Sequence, residues 1–389
     1  MDVPLLDLRA QYETIKDKVK PVIDEVFETQ RFVLGAHGAA LEEEVARHCG
    51  VSCAVGVASG TDSLLLAMKA LGVGRGDAVV TTPFTFFATA GAVVNLGARP
   101  VFIDIEPDGF EMCPRALAAF LDDECERDPA TGATVHKASR LTVKAILPVH
   151  LYGQCADMDE INALAAGRGI PVVEDACQAI GASYKGRKAG ALGTLGCFSF
   201  FPSKNLGGAG DGGMVVTSDK GLADRVRLLR GHGAHHRYYH DVVGFNSRLD
   251  ELQAAVLRVK LPHLDGWSAK RAEHAGKYAE AFEAAGLLGE VTPPATLPGR
   301  THIFHQYVIR CRERDALQAF LKGSGVGCEV YYPVSLHEQA CFKDLGYAPE
   351  DLPQSRRATQ EVLALPVYPE LSDAQRDYVV ERIKAFYKR

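Results

Sequence analysis

Residues 196–208 read GCFSFFPSKNLGG, and this stretch decides how the chain folds. Its apolar first half is typical of a β-strand, Pro202 and Ser203 predict a turn, and Lys204 follows that turn directly, ahead of two glycines. An amine held among apolar and aromatic side chains is poorly solvated, which favours its neutral, nucleophilic form. That form condenses with an aldehyde to a Schiff base. A surface lysine at a strand end has the same pattern, so this stretch alone leaves both interpretations open.

A second stretch, IPVVEDACQAIG at residues 170–181, favours the Schiff-base interpretation. A β-branched run that ends in acids is typical of a buried parallel strand that delivers side chains to the ligand edge of an α/β sheet. A carboxylate beside a pyridine nitrogen keeps that nitrogen protonated, and the protonated ring stabilises a neighbouring carbanion. Asp175 suits that role, and Gln178 suits a hydrogen bond to the ring oxygen. We therefore predict that the chain binds pyridoxal 5′-phosphate, with Lys204 and Asp175 as its catalytic residues.

The segments VEDACQAIG (173–181) and FSFFPSKNLGGAGDGGMV (198–215) resemble the DegT/DnrJ/EryC1/StrS family of sugar aminotransferases. The resemblance implies an α/β fold of the fold-type I aminotransferase class, with a mostly parallel seven-stranded sheet flanked by helices and a smaller α+β C-terminal domain. Residues 214–217 predict the antiparallel strand of that sheet. From about residue 261 the sequence becomes helical and charged, so we place the N-terminal segment and large domain at 1–260 and the small domain at 261–389.

The composition is that of an ordinary globular protein. The 389 residues are 47% hydrophobic and 24% charged, and the net charge of −6 argues against nucleic-acid and membrane-surface partners. The chain shows neither a signal-peptide pattern nor an apolar run of about 18 residues, so we expect a cytoplasmic protein without a membrane anchor. Its 10 cysteines form no C-x-x-C pair, which fits reduced thiols better than disulfides or a zinc site.

Residues 53–64 predict a short strand, a Ser-Gly-Thr turn and the start of a helix. A glycine turn that opens a helix offers free backbone N–H groups and the positive end of the helix dipole, which suit a phosphate. The same residues also make an ordinary helix cap. The turn resembles the SGTD-type turn of the family, and this resemblance implies that Ser59, Gly60 and Thr61 bind the cofactor phosphate.

Two further cofactor contacts are implied by the resemblance. A planar ring needs a flat partner, which an aromatic side chain provides. The proline–threonine–aromatic pattern of the family assigns this stacking to Phe86, although Phe84, Phe86 and Phe87 are also candidates for the core. Ser199, on the strand ahead of Lys204, matches a serine whose hydroxyl donates to the phosphate in the family.

Residues 243–255 read VGFNSRLDELQAA and resemble a family signature in which an asparagine reaches across a two-fold interface to the other subunit's cofactor phosphate. The resemblance implies a homodimer with active sites at the interface, in which Asn246 binds in trans. Arg248 is suited to hold the carboxylate of the amino donor by a bidentate contact. From the residues alone, Asn246 and Ser247 are equally a helix cap.

Two segments carry no predicted chemistry. His232, His236 and His240 recur at helical spacing, but two glycines beside them disfavour a stable helix, and no carboxylate or cysteine partner is evident. We therefore expect a solvated loop and no metal site. Residues 122–140 are polar and charged, and they predict a surface insertion.

The C-terminal part offers weaker candidates for the substrate site. Residues 301–309 predict a strand. His305, Tyr331 and His337 match family positions near the substrate end of the pocket. For each histidine taken alone, a partly buried side chain with satisfied hydrogen bonds is the usual role.

Together, these features indicate an enzyme that transfers an amino group from glutamate to a nucleotide-linked ketosugar. We favour a 3-keto sugar, because the Tyr-His-rich loop ahead of Asn246 and the turn at 330–333 look closer to members that aminate C-3. Amination at C-4 is the alternative. A non-catalytic regulator that senses a sugar nucleotide and an ordinary amino-acid aminotransferase are further alternatives. Members that act as sugar dehydratases carry histidine in place of the lysine, so Lys204 disfavours that reaction.

Overall fold

Strands and helices alternate along most of the chain. The computed structural model describes residues 1–236 and 238–388. The strands are β1 (Cys53–Val57), β2 (Asp77–Thr81), β3 (Arg99–Phe102), β4 (Cys125–Arg127), β5 (Thr134–His136), β6 (Thr142–Ile146), β7 (Val173–Asp175), β8 (Ser183–Tyr184), β9 (Arg187–Lys188), β10 (Leu195–Ser199), β11 (Gly213–Thr217), β12 (Ala234–His236), β13 (Tyr239–His240), β14 (Val291–Thr292), β15 (Tyr307–Cys311) and β16 (Val362–Leu365). The α-helices are α1 (Leu8–Thr29), α2 (Ala36–Cys49), α3 (Gly60–Ala70), α4 (Ala88–Asn95), α5 (Pro114–Ala119), α6 (Met158–Arg168), α7 (Lys220–Arg230), α8 (Glu251–Lys260), α9 (Leu264–Ala284), α10 (Arg314–Gly323), α11 (Pro353–Glu361) and α12 (Asp373–Tyr387).

Seven strands form the central sheet, in the order β1-β11-β10-β7-β6-β2-β3. Its two halves are joined by the parallel bridges Ile146–Val172 and Val149–Asp175. Among these seven strands, β11 alone runs antiparallel to its neighbours. The predicted mostly parallel, seven-stranded sheet is therefore confirmed, and residues 214–217 lie in its antiparallel strand as predicted.

Strands β1, β10 and β7 end at the same edge of this sheet. The register places Val57 of β1 opposite Gly213 of β11, and Gly213 opposite Ser199 of β10. β7 runs parallel to β10 and ends at Asp175. Open α/β sheets bind ligands outside the carboxyl ends of their strands, so this edge is where a site is expected.

Helices cover both faces of the sheet, which explains its apolar strands. Val55 and Val57 of β1 pack with α3 and α7, whereas Ala54 belongs to the core on the opposite face, with α2, α6 and α8. Strands that are buried on both faces read as nearly continuous apolar runs instead of alternating ones.

The C-terminal part contains a separate antiparallel sheet, β14-β15-β16, whose core includes Tyr278 of α9 and Ile383 of α12. Val3 belongs to the same core. Its N–H donates to Gly325 O, and its carbonyl accepts from Gly327 N, both at 2.8 Å. The first residues therefore pack with the C-terminal sheet, while the division of the chain at residue 260 stays a prediction.

Two segments differ in detail from expectation. Residues 122–140 contain the hairpin of β4 and β5, which joins β6 through the Val135–Thr142 pair. The strand predicted at 301–309 begins only at Tyr307, because Phe304 adopts a left-handed conformation (φ 44°) and Ile303 N donates to Gly153 O at 2.9 Å. No helix in the described part of the chain combines the length and apolar character needed to cross a membrane.

Candidate active site

The sheet edge brings the predicted phosphate-binding residues together. A Cβ built on Gly60, the first residue of α3, would lie 2.5 Å from Cβ and 2.9 Å from Oγ of Ser199. The first N–H groups of a helix have no acceptor within the helix. Asp62 N–H donates to Ser59 Oγ at 3.1 Å, so Ser59 caps α3 as its sequence also allowed. Gly60 and Thr61 begin the helix beside Ser199, and the free N–H groups of a helix start suit an anion.

Asp175 is buried at the end of β7 with both carboxylate oxygens in fixed contacts. Oδ2 accepts a hydrogen bond from Thr89 Oγ1 at 2.7 Å, and Oδ1 accepts one from Cys177 N at 3.3 Å. The side chain is thereby held at the ligand edge. The role of Thr89 was missed from the sequence, because only the fold brings the first turn of α4 against β7.

Gln178 is held in one orientation. Its Oε1 accepts from Tyr152 N at 2.8 Å, and its Nε2 donates to Tyr332 Oη at 3.0 Å. Because a backbone N–H identifies the oxygen, the amide cannot be flipped, and the second N–H of Nε2 remains to donate. Neither tyrosine was recognised as a partner from the sequence, since both are distant along the chain.

Lys204 follows the turn after β10 as predicted, and its backbone N–H donates to the backbone carbonyl of Phe201 at 2.8 Å. Burial lowers the pKa of its amine, while the neighbouring Cys177 and Asp175 oppose that shift. His305 lies nearby, where its Nδ1 is 3.2 Å from Asn205 Oδ1. Burial and then the Lys204 charge lower the pKa of His305 well below its usual value, which makes a neutral imidazole. Burial therefore favours the unprotonated form of the amine, whereas Asp175 and Cys177 favour the protonated form.

Phe86 presents an exposed ring, unlike an aromatic residue of the core. Its side chain is 57% exposed, whereas Phe84 is fully buried. The Phe86 ring centroid lies 6.2 Å from that of Tyr332, the residue that also bonds to Gln178. A flat surface is thus available next to the amide that is predicted to bind the ring oxygen.

Asn246 and Arg248 lie on the segment ahead of α8. Asn246 is exposed, and its Oδ1 accepts a hydrogen bond from Arg248. Ser247, between them, is buried and donates to Asp62 Oδ2 at 2.7 Å. The segment is therefore fixed to the start of α3 within one chain, and binding of Asn246 in trans stays a prediction.

Tyr331 and His337 lie in the long connection between α10 and α11, residues 324–352, and His337 belongs to a short 3-10 helix there. The carbonyl of Tyr331 accepts a hydrogen bond from Tyr152 Oη. Buried Ser335 donates to Pro83 O at 3.3 Å and contacts His337 Nδ1 at 2.9 Å. Nε2 of His337 has no hydrogen-bond partner among the described residues.

The histidines of residues 232–240 do not share a helix face. His236 and His240 lie on the exposed hairpin of β12 and β13, and His240 Nδ1 bonds to the carbonyl of His232 at 3.0 Å. Arg237 of the same stretch lies outside the described residues. The helical spacing in the sequence is therefore not realised, and a short exposed hairpin stands where a solvated loop was expected.

A buried pair beneath Asp175 was not recognised as a unit. His150 Nε2 and Glu174 Oε2 are 2.9 Å apart, and both side chains are fully buried. This contact and the complete burial of the imidazole give His150 a structural role. Glu174 precedes Asp175 on β7 and points to the other face of the sheet, so it fixes the strand that carries Asp175.

The model of the DegT/DnrJ/EryC1/StrS aminotransferase family matches residues 13–384. The chain belongs to this family. It is 47% identical over 389 residues to a "Pleiotropic regulatory protein" of Geobacillus stearothermophilus, covering 100% of this chain and 99% of the relative. It is 44% identical over 373 residues to a "UDP-N-acetyl-3-dehydro-alpha-D-glucosamine 3-aminotranferase" of Acidithiobacillus ferrooxidans, covering 96% of this chain and 95% of the relative.

A solved structure of the family has the same fold. The crystal structure of S. venezuelae DesV in complex with a ketimine intermediate superposes with a TM-score of 0.92 at 37% identity, covering 100% of this chain and 99% of that one. This confirms the fold-type I aminotransferase architecture, and the chain is an aminotransferase of a family that depends on pyridoxal phosphate.

The residues present fit pyridoxal phosphate. The Gly60 position has no room for a Cβ beside Ser199, which leaves backbone in close reach of an anion. At the same edge, Asp175 provides a buried acceptor for a ring nitrogen, and Lys204 provides an amine whose pKa is lowered by burial. A helix start suited to an anion, a carboxylate and an amine with a lowered pKa are the three groups that this cofactor requires.

Proposed function

We propose that this aminotransferase moves the amino group of glutamate onto C-3 of a nucleotide-linked 3-ketosugar. The name of the A. ferrooxidans relative specifies a UDP-linked 3-dehydro sugar and amination at carbon 3. At 44% identity over nearly the full length of both proteins, a related substrate is the simplest expectation for this chain.

One observation carries the proposal: Lys204, Asp175 and the start of α3 lie at the same edge of the central sheet. Cys177 lies between them, since it contacts Asp175 through its N–H and would be 3.1 Å from a Cβ on Gly60. Its thiol and the Lys204 amine are also close enough to alter each other's pKa values. The amine, the carboxylate and the anion site are therefore within reach of one ligand.

The residues that would hold the cofactor follow from these positions. The phosphate would be bound by the start of α3 and the end of β10, and by Asn246 of the second subunit of a homodimer. The ring would stack on Phe86, with Asp175 at its nitrogen and the free N–H of Gln178 at its oxygen. The full set is Ser59, Gly60, Thr61, Phe86, Asp175, Gln178, Ser199, Lys204 and Asn246.

The chemistry that bound pyridoxal phosphate supplies is an aldehyde that takes up amino groups and a ring that withdraws electrons. Lys204 moves the proton at the substrate carbon, a role that needs an amine able to lose and regain its proton near neutral pH. Burial lowers the pKa of Lys204 in the required direction. Asp175, held by Thr89, keeps a negative charge at the ring nitrogen.

The remaining candidates would bind the substrates. Arg248 is partly exposed and suits the carboxylate of glutamate. His305, beside Lys204, together with Tyr331 and His337, would meet the sugar end of the second substrate. The 10 unpaired cysteines support a reducing, cytoplasmic location.

The test is a turnover assay on the purified protein with pyridoxal phosphate and glutamate. A UDP-linked 3-keto hexose and its 4-keto counterpart are supplied in parallel, and 2-oxoglutarate is quantified while NMR locates the new nitrogen. We expect turnover with the 3-keto sugar and amination at C-3. Faster turnover of the 4-keto sugar would replace our assignment by the C-4 alternative, and efficient use of 2-oxo acids would indicate an amino-acid aminotransferase.

A non-catalytic regulator is the second candidate, because the G. stearothermophilus relative is named as a regulatory protein. A regulator would bind the sugar nucleotide without forming 2-oxoglutarate. Lys204→Ala serves as the control, since it removes the amine and leaves the backbone unchanged. If wild type and Lys204→Ala bind the sugar nucleotide equally and neither turns over, the regulator is favoured.

A further inference from the structure

We propose that Thr89, itself ordered by Thr85, is a positioning residue that aims the carboxylate of Asp175 at the cofactor ring. The inference rests on the proposed function, because it assigns a role within the same cofactor site. It concerns two side chains to which the sequence analysis assigned no role.

The hydrogen bonds have one possible direction. Thr89 Oγ1 lies 2.7 Å from Asp175 Oδ2, and a carboxylate oxygen only accepts, so the Thr89 hydroxyl proton is used there. Thr85 Oγ1 lies 3.0 Å from Thr89 Oγ1. Since Thr89 has no second proton, Thr85 must be the donor in that contact. The result is an ordered series of hydrogen bonds that runs from Thr85 through Thr89 to Asp175.

Burial makes this series of hydrogen bonds rigid. Thr85 is 2% exposed and Thr89 is 1% exposed, so water does not compete for their hydroxyl groups. Hydrogen bonds inside a protein are stronger than those in water, and linked bonds polarise one another. The neighbouring residue Cys177 gives the other Asp175 oxygen a longer contact, 3.3 Å from its backbone N, and its thiol is a weaker donor to the same carboxylate. Thr89 is therefore the dominant restraint on the carboxylate.

The position of Thr89 in the fold links the stacking residue Phe86 to the carboxylate of Asp175. Thr89 N–H donates to Phe86 O at 3.2 Å, so the turn that presents the Phe86 ring also places the Thr89 hydroxyl. A threonine in a helix commonly turns its hydroxyl back to its own backbone. Thr89 instead donates its hydroxyl proton to the carboxylate of Asp175. One turn thus sets the stacking surface and the carboxylate together.

Three variants test the proposal: Thr89→Val, which keeps the shape and removes the hydroxyl, Thr89→Ser, which retains the hydroxyl, and Thr85→Val. A hydrogen bond to a charged group contributes a free energy that corresponds to a change of roughly 10–100-fold in an equilibrium or rate constant. For Thr89→Val we expect a loss of that size in pyridoxal phosphate affinity and in kcat for glutamate, with KM for glutamate little changed. Thr89→Ser should stay near wild type, and Thr85→Val should fall between the two.

The affinity is measured by equilibrium dialysis, and the absorption spectrum of the bound cofactor is recorded for each variant. A changed spectrum in Thr89→Val that Thr89→Ser restores supports a specific action on the ring, which general loosening of the fold does not produce. Urea unfolding identifies any variant that fails to fold.

Combination with Asp175→Asn separates a role through Asp175 from an independent one. If Thr89 acts through that carboxylate, Thr89→Val adds little further loss in the Asp175→Asn background. Equal losses in both backgrounds, or a Thr89→Val protein with wild-type affinity and spectrum, would overturn the proposal. Failure of the wild type to bind pyridoxal phosphate would instead count against the proposed function, so the two failures are distinguishable.

Discussion

Replacement of Glu174 by glutamine should destabilise the protein strongly, although the two side chains have nearly the same shape. Glu174 Oε1 accepts from the N–H groups of Leu192 at 2.7 Å and Gly193 at 2.6 Å. Its Oε2 accepts from Gly190 N at 2.7 Å and contacts His150 Nε2 at 2.9 Å. Gly190, Leu192 and His150 are buried and Gly193 is partly buried, and the Glu174 and His150 side chains are fully buried.

The magnitude follows from counting donors. His150 Nδ1 accepts from Ala156 N at 3.1 Å, so the ring proton is on Nε2 and points to Glu174. A glutamine keeps one oxygen and replaces the other by an NH₂ group, which cannot accept. Whichever way the amide turns, two buried donors lose their acceptor and meet another donor. At about 1–3 kcal/mol for each buried group left without a partner, the expected loss is about 2–6 kcal/mol.

The assay is urea unfolding of wild type, Glu174→Gln and Glu280→Gln at neutral pH, followed by circular dichroism. Glu280 is exposed on α9, so its replacement should change the free energy of unfolding by less than about 0.5 kcal/mol. The midpoint for Glu174→Gln should fall with little change in m. If Glu174→Gln unfolds within about 0.5 kcal/mol of wild type, the hydrogen bonds are not those described, and the reasoning fails.

Three further predictions address the site and its surroundings. Gly60→Ala should weaken pyridoxal phosphate binding by about 10-fold or more in a fluorescence titration, because the new Cβ would lie 2.5 Å from Ser199 Cβ. Gly276→Ala, where a Cβ meets nothing within 4 Å, is the control and should bind normally. Lys204→Arg should lower transamination by roughly 10²–10⁴-fold, measured as 2-oxoglutarate, because an arginine does not lose its proton; full turnover would contradict the assigned role. Burial raises the pKa of Glu111 from 4.5 to about 8. Between these values the folded state holds a proton that the unfolded state has lost, so this group's contribution to stability falls as pH rises. Between about pH 5.5 and about pH 8.5, wild type should therefore lose more unfolding free energy than Glu111→Gln, and equal losses would contradict the shift.

Local patterns were sufficient for the sheet and for the residues at its edge. Apolar runs followed by an acid or a turn predict strands that end at a ligand site, and the structure has β7 ending at Asp175 and Lys204 following β10. Strand β11 itself was readable from the glycines that precede a short apolar run, whereas its antiparallel direction was part of the sheet that the family resemblance implied. These features depend on side-chain polarity and backbone geometry over a few residues, which the sequence states directly.

Contacts between distant segments were decided only by the tertiary structure. Thr89 meets Asp175 across 86 positions, and Gln178 meets Tyr332 across 154. The late start of β15 at Tyr307 has the same origin, because the preceding residues bond to the loop at Gly153 instead of to a strand. A hydroxyl or an amide bonds to whichever group the packed chain brings within about 3 Å, and one sequence segment does not contain that information.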